Sequence, residues 1–243
     1  MKKFIRSTIV IGLFGIFGIG ALFIQYLIFP FQKNEREKYN TLQKSWEFFV
    51  WLLQKTEILK IEISNIEKIK NIKNSIIVST HPSFADIIIL MSLIPNSTCF
   101  VAERLTKNPF LKGIVKTLFI PEASTIDVWL NKACKKLNEG FNVIIFPMGI
   151  RHREFETPKI RRGAALIAQK SERNIVMLNM KTSFDFLQIN QPFYQAGEET
   201  VLFNIDYSGE INTTSELRKY PEDVTFRTQI TKQITKTLYK NKK

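Results

Sequence analysis

The feature that most constrains this chain is a run of 22 uncharged residues from Thr8 to Phe29. As a helix it extends about 33 Å at ~1.5 Å per residue, enough for the hydrocarbon core of a bilayer. Lys2, Lys3 and Arg6 precede it, with no acid among them. The apolar region of a secretory leader is shorter, roughly 7–15 residues, and closes on a small-x-small cleavage site. Gly18-Ile19-Gly20 is a poor site of that kind, and the apolar run continues past it through Leu22-Phe23-Ile24. The segment therefore reads as a retained membrane anchor that ends at Pro30. Gln32 to Asn40 reads as a polar linker. Trp46-Glu47-Phe48-Phe49-Val50-Trp51-Leu52-Leu53 is then an apolar patch too short to span, bracketed by two tryptophans. It fits a helix lying at headgroup depth, where Trp is favoured, and equally an amphipathic helix packed on the core. Lys33, Arg36, Lys38 and Lys44 follow the first helix, so cations flank it on both sides and do not orient it. A helical hairpin that dips in and returns on one side fits the same pattern.

Composition narrows the partners. Of 243 residues, 44% are hydrophobic and 23% charged, which excludes a disordered chain and supplies a sizeable core. Two cysteines, Cys99 and Cys134, and two histidines allow neither a disulfide framework nor a multi-histidine metal site, so no metal and no bound cofactor is expected. A net charge of +13 points to anionic partners: nucleic acid, an acidic membrane surface or a phosphorylated substrate. Nucleic acid explains the charge but not the hydrophobic N-terminus. The expected setting is the inner membrane, with the functional face towards the cytoplasm and the cysteines reduced.

After Leu59 the pattern changes. Leu59 to Ile63 alternates with period two, as an edge-like strand does, and Ser75 to Ser79 is a β-branched run suited to a buried strand. Thr98–Val101, Asn142–Phe146, Asn174–Asn179 and Val201–Ile205 are similar. Between them, helical stretches cover Phe84–Leu93, Pro109–Leu118, Asp127–Leu137 and Arg162–Ser171, and Phe226, Ile230, Ile234 and Leu238 mark a C-terminal surface helix. Strands alternating with such helices predict an α/β fold with a mostly parallel sheet flanked by helices. The expected division is 1–58, membrane anchor and interfacial helical segment, and 59–243, the α/β domain.

His81 stands directly after the buried strand, at the sheet end where open α/β folds gather ligands. Pro82 or Ser83 can start a helix and place Asp86 near its first turn. Within one helix, residues five apart diverge by about 140°. His81 and Asp86 therefore meet only if His81 lies before the helix and folds back over its start. A carboxylate on one imidazole nitrogen fixes the tautomer and leaves the other nitrogen free as a base. The spacing alone also suits a capping carboxylate beside an unrelated histidine.

Thr80-His81-Pro82-Ser83-Phe84-Ala85-Asp86, after a strand and in a chain with an apolar N-terminus, resembles the first motif of the glycerolipid acyltransferase family, NHxSxxD. The lysophosphatidic acid acyltransferases are its best-known members. The resemblance implies that His81 is the general base and Asp86 its orienting partner. The base would activate a lipid hydroxyl to attack an acyl thioester, on acyl-CoA or acyl carrier protein, without a covalent acyl-enzyme. Phe146-Pro147-Met148-Gly149-Ile150-Arg151 is similar to the family's FPEGTR, which implies an acceptor-phosphate site at Gly149 and Arg151. Met148 and Ile150 depart from it, and the family's glutamate is absent. Val101 to Gly113 corresponds to the second motif, with Arg104 and Lys107 left to supply charge. Arg162-Gly163-Ala164-Ala165 resembles the KxGAxxxA helix, and Met177 stands where a strand proline is usual. Arg162 to Tyr194, with Pro192-Phe193-Tyr194-Gln195, looks like acyltransferases of aryl-polyene and related pigment-lipid clusters. The implied acceptor is lysophosphatidic acid or a related lipid. The alternatives are a non-phosphorylated pigment- or polyene-type lipid, or a degenerate member that binds anionic lipid without catalysis.

Overall fold

The structure is a computed structural model that describes residues 2–109, 111–121, 125–149, 160–187 and 198–239. Helix α1 (Lys2–Phe23) runs into a π-helical turn (Ile24–Ile28) and a 3-10 turn (Phe29–Phe31). Pro30 thus sits inside the last turn of a continuous path that is long and apolar enough to cross a membrane. Helix α2 (Glu35–Lys55) follows almost at once. The expected linker from Gln32 to Asn40 is therefore mostly helix. Asn34 caps it by accepting from the Glu37 amide at 2.8 Å, while the Glu37 carboxylate accepts from the Lys33 amide at 3.2 Å. This reciprocal arrangement satisfies amides that a helix start leaves open.

Strand β1 (Leu59–Ser64), helix α3 (Ile66–Lys70), β2 (Ile76–Ser79), α4 (Ala85–Leu93) and β3 (Ser97–Val101) come next. A 3-10 turn (Glu103–Lys107), α5 (Lys112–Leu118), β4 (Ile120–Pro121), α6 (Ile126–Asn138) and β5 (Asn142–Ile145) follow. The chain closes with α7 (Gly163–Ser171), β6 (Ile175–Thr182), β7 (Val201–Ile211), α8 (Thr213–Lys219) and α9 (Asp223–Tyr239). The sheet has seven strands in the order β1-β7-β6-β2-β5-β3-β4. β2 to β6 run one way; β7 is antiparallel to β6 and carries β1 with it. The expected parallel sheet holds for its centre, and β1 lies at an edge as its alternation predicts. β4, with a proline, ends the opposite edge, where a missing N–H costs no ladder bond.

Two apolar clusters sandwich the sheet. One joins Ile76, Val78, Val143 and Ile175 to α6, α7 and α9, where Phe226, Ile230, Ile234 and Leu238 form the buried stripe of α9. The other joins Ile77, Ile144 and Leu178 to α4, α2 and α1, so residues on both sides of position 58 share one core. Alternate residues of the same strands face opposite clusters, as the two-residue period of a strand requires. On α2, Trp46, Phe49, Val50 and Leu53 point inward, so this helix packs on the core; Phe48 and Trp51 remain outside, stacked at 5.6 Å. On α1 and into the π-helical turn, Ser7, Val10, Phe14, Phe17, Ala21 and Ile24 form an inward stripe spaced by three and four. Its opposite face is also apolar and exposed: Phe4, Ile5, Ile9, Ile16, Ile19 and Phe23. The helix is pinned near its start by Arg6, which donates to the carbonyls of Glu57 at 3.0 Å and Ile58 at 2.8 Å.

Candidate active site

The carboxyl ends of the parallel strands β2, β5 and β3 lie at one end of the sheet and carry the candidate residues. β2 stops at Ser79, and the chain leaves the sheet through Thr80. Thr80 Oγ donates to the Met180 carbonyl at 2.7 Å and accepts from the Met180 amide at 2.6 Å. The Thr80 amide still donates to the Leu178 carbonyl at 3.3 Å, so its side chain extends the pairing with β6 just past the end of β2. His81, Pro82 and Ser83 form an extended connection, and the Phe84 amide donates to the Leu187 carbonyl at 3.1 Å. Helix α4 begins at Ala85, later than Pro82 or Ser83 but with Asp86 in its first turn. The imidazole therefore folds back over the helix start, as the five-residue spacing demands.

His81 Nδ1 lies 2.9 Å from Asp86 Oδ2. The Ser83 amide donates to the same oxygen at 2.8 Å, and Ser83 Oγ accepts from the Ala85 amide at 3.1 Å. Asp86 is fully buried, whereas the His81 side chain is 18% exposed. A buried carboxylate survives desolvation when hydrogen bonds and a helix N-terminus meet its charge. A neutral imidazole that donates from Nδ1 to an ionised Asp86 has its lone pair on Nε2. The imidazole stacks on the Phe146 ring, with centroids 4.0 Å apart and planes 17° from parallel. Phe146 precedes the Pro147-Met148-Gly149 turn at the end of β5, so the two motifs touch through their rings. Within the same motif, Phe84 meets Phe14 of α1 at 6.5 Å, and Phe14 meets Phe49 of α2 at 5.3 Å. The apolar N-terminal helices therefore flank the histidine motif directly.

Gly149 adopts φ +70°, a region open to glycine at no steric cost. A Cβ there would also lie 3.1 Å from the Arg161 guanidinium carbon, and the Arg161 amide donates to the Pro147 carbonyl at 2.9 Å. Met148 is half-buried in the same turn. Arg104 and Lys107 are exposed on the 3-10 turn after β3, at the same end of the sheet. Arg151, with Ile150, His152, Arg153 and Lys159, lies outside the described residues, as does Pro192 to Gln195. Cys99 is buried, and desolvation drives its thiol far above the usual range; burial also raises Cys134. Neither is a ready nucleophile at neutral pH.

Sequence reasoning identified the His81–Asp86 pair but missed the Thr80 clip, the Phe146 stack, the Leu187 carbonyl and Arg161 against Gly149. Phe146 was within reach, since it heads the motif that follows the neighbouring strand.

The site thus sets a histidine–carboxylate pair at the strand ends of a mostly parallel sheet, beside an apolar helical face. The family model for acyltransferases matches residues 60–181, half of the chain, and the chain belongs to that family. Among its relatives is 1-acyl-sn-glycerol-3-phosphate acyltransferase beta of Homo sapiens, 23% identical over 150 residues, covering 59% of this chain and 54% of the relative. The chain thus spans about half the length of that relative. Among solved structures, the 1-acyl-sn-glycerophosphate (LPA) acyltransferase PlsC from Thermotoga maritima superposes with a TM-score of 0.67 at 20% identity, covering 96% of this chain and 98% of that one. The likeness extends through the N-terminal helices and shows a shared fold.

Proposed function

We propose that this acyltransferase moves a fatty acyl group from a thioester carrier, acyl-CoA or acyl carrier protein, to the free hydroxyl of lysophosphatidic acid at a membrane surface. The contact between His81 Nδ1 and the buried Asp86 carboxylate at 2.9 Å carries the reading. His81 Nε2 takes the acceptor hydroxyl proton as that oxygen bonds to the thioester carbonyl carbon. The C–S bond then breaks, the leaving thiolate takes the proton from the imidazolium, and an ester and a free thiol result. Asp86 stabilises the transient imidazolium and holds its tautomer. No acyl-enzyme is needed, in keeping with two cysteines whose thiols burial has suppressed.

Arg104, Lys107 and Arg151, with the Gly149 backbone, form the proposed phosphate site, an arginine fork being suited to a phosphate monoester. The exposed apolar face of α1, with Phe48 and Trp51 of α2, supports insertion into one leaflet, since contiguous apolar surface rimmed by charge marks membrane contact. A helix tied to the fold at Arg6 favours the hairpin that dips in and returns over a free-standing anchor. The basic surface favours an anionic, cytoplasmic leaflet.

The test is acyl transfer by purified protein on phosphatidylethanolamine/phosphatidylglycerol vesicles, with labelled acyl-CoA or acyl carrier protein and lysophosphatidic acid, beside His81→Ala. Phosphatidic acid formed by wild type and not by the variant is expected. Equal product from both would remove His81 from the chemistry. A second reading, a non-phosphorylated lipid or polyene-type acceptor, is favoured by one observation: a half-buried methionine, Met148, in the turn where the family pattern has glutamate.

A further inference from the structure

Within the uncharged run, Gln25 is buried and lies in the π-helical turn. A π turn re-aims side chains relative to a regular helix. Here it sends the Gln25 amide into the turn between the Glu103–Lys107 segment and α5. Gln25 Oε1 accepts from the Gly113 amide at 2.6 Å and the Ile114 amide at 3.3 Å, and Nε2 donates to the Pro109 carbonyl at 3.3 Å. The approach is so close that a Cβ on Gly113 would fall 2.5 Å from Gln25 Cγ. At the other end of α5, Tyr39 of α2 and Thr98 of β3 both donate to the Leu118 carbonyl. The N-terminal helical pair therefore holds α5 at both ends. Pro109, which Gln25 holds, follows closely in the chain on the turn that carries Arg104 and Lys107. There the Lys112 and Leu111 amides donate to the Asn108 carbonyl at 2.8 and 3.1 Å.

We infer that Gln25 is a positioning residue, the polar link through which the membrane-facing helix sets the place of the Arg104/Lys107 turn and so the affinity for a phosphate-bearing acceptor. The inference rests on the acyl-transfer reading above and adds a residue that the histidine chemistry does not use. A polar side chain in an apolar helix is costly unless its hydrogen bonds are made. These bonds are made to main-chain groups of a distant segment, so they fix that segment rather than the helix itself. The effect belongs in acceptor KM rather than in kcat, because the bonds and ring stack that place His81 come from Asp86, Ser83 and Phe146 rather than from the segment Gln25 holds.

The test uses the full chain on phosphatidylethanolamine/phosphatidylglycerol vesicles with lysophosphatidic acid as acceptor. Gln25→Leu, which is no less apolar, should still float with the vesicles and should raise acceptor KM about five- to tenfold, with a smaller change in kcat. Gly113→Ala, with Gln25 intact, should do the same from the other side of the contact. In Gln25→Ala/Gly113→Ala the new methyl fills the space vacated, so the pair should be no worse than Gln25→Ala alone, the non-additivity expected of touching residues. Hydrogen exchange at the Gly113 and Ile114 amides should speed up in Gln25→Leu, a readout independent of turnover. Active wild type with unchanged acceptor KM and unchanged exchange in both single variants would overturn the link alone. Wild type that transfers no acyl group would overturn the acyl-transfer reading and the KM statement with it.

Discussion

The ends of β2 and β5 lie side by side in the sheet and are built differently. At the end of β2, the first motif is kept in its chemistry. Asp86 Oδ2 is engaged by His81 and by the Ser83 amide, Thr80 bonds both main-chain groups of Met180, and the histidine keeps its opening to solvent. At the end of β5, Phe146, Pro147 and Gly149 keep the shape of the turn, but Met148 replaces the family's glutamate and Ile150 its threonine. The difference separates two demands. Under the proposed function, moving a proton requires a fixed base and a fixed partner, and that part is assigned to the β2 end. Recognising the acceptor is assigned to the neighbouring turn, whose polarity can alter while the base is kept.

The strongest challenge to this division is His81→Ala. If the β2 end carries the chemistry, turnover should fall by about 10²–10⁴-fold, the usual weight of general-base catalysis. Membrane binding should stay unchanged. Asp86→Asn follows, with an expected loss of about 10²-fold or more in kcat. Its amide nitrogen, turned towards His81, would donate to Nδ1 and so favour the wrong tautomer. Acceptor KM should move little, and a variant that mainly raised KM would transfer Asp86 to the binding side of the comparison.

Phe146→Leu tests where the two ends meet. The stack at 4.0 Å should be worth about 0.5–1.5 kcal/mol, so kcat should drop by roughly two- to tenfold as the imidazole gains freedom. A change confined to acceptor preference would show that Phe146 serves the β5 turn rather than the base.

How much of this was legible in the chain differs by element. The central strands are short β-branched runs, and the contact between His81 and Asp86 follows from spacing once the histidine precedes the helix. α2 was legible in Asn34-x-x-Glu37, a capping signature, but its charged first turns resemble a linker when composition alone is weighed. β7 runs on to Ile211, six residues past the expected end, through Asp206, Ser208 and Gly209, which are poor strand formers. Pairing with β6 and an irregularity at Met177/Leu178 accommodate them, and neither is local information. The same holds for Gln25. A lone amide in an apolar run carries no periodicity, and its partners lie on a segment brought close only by the tertiary fold.

The smallest expected effect probes the β5 turn directly. A lysophosphatidic acid acceptor brings a phosphate monoester with charge near −2 to a site next to its reacting hydroxyl. In the proposed phosphate site Arg104, Lys107 and Arg151 are assigned to that charge, but charge alone does not orient the glycerol. Orientation needs acceptors and donors held in the turn, and a methionine offers only a flexible apolar surface there. Ile150 likewise lacks the hydroxyl that threonine would place in the same loop. Gly149, at φ +70°, is kept, so the double substitution is aimed at the polarity of its two neighbours. Met148→Glu with Ile150→Thr should therefore leave turnover on a simple long-chain alcohol nearly constant. It should raise the ratio of lysophosphatidic acid to alcohol acylation by about two- to tenfold, the worth of one added hydrogen bond. Parallel assays with one acyl donor and both acceptors give that ratio. If wild type already favours lysophosphatidic acid and the double variant loses that preference, then Met148 and Ile150 belong to the phosphate site itself, and the division between the two strand ends fails.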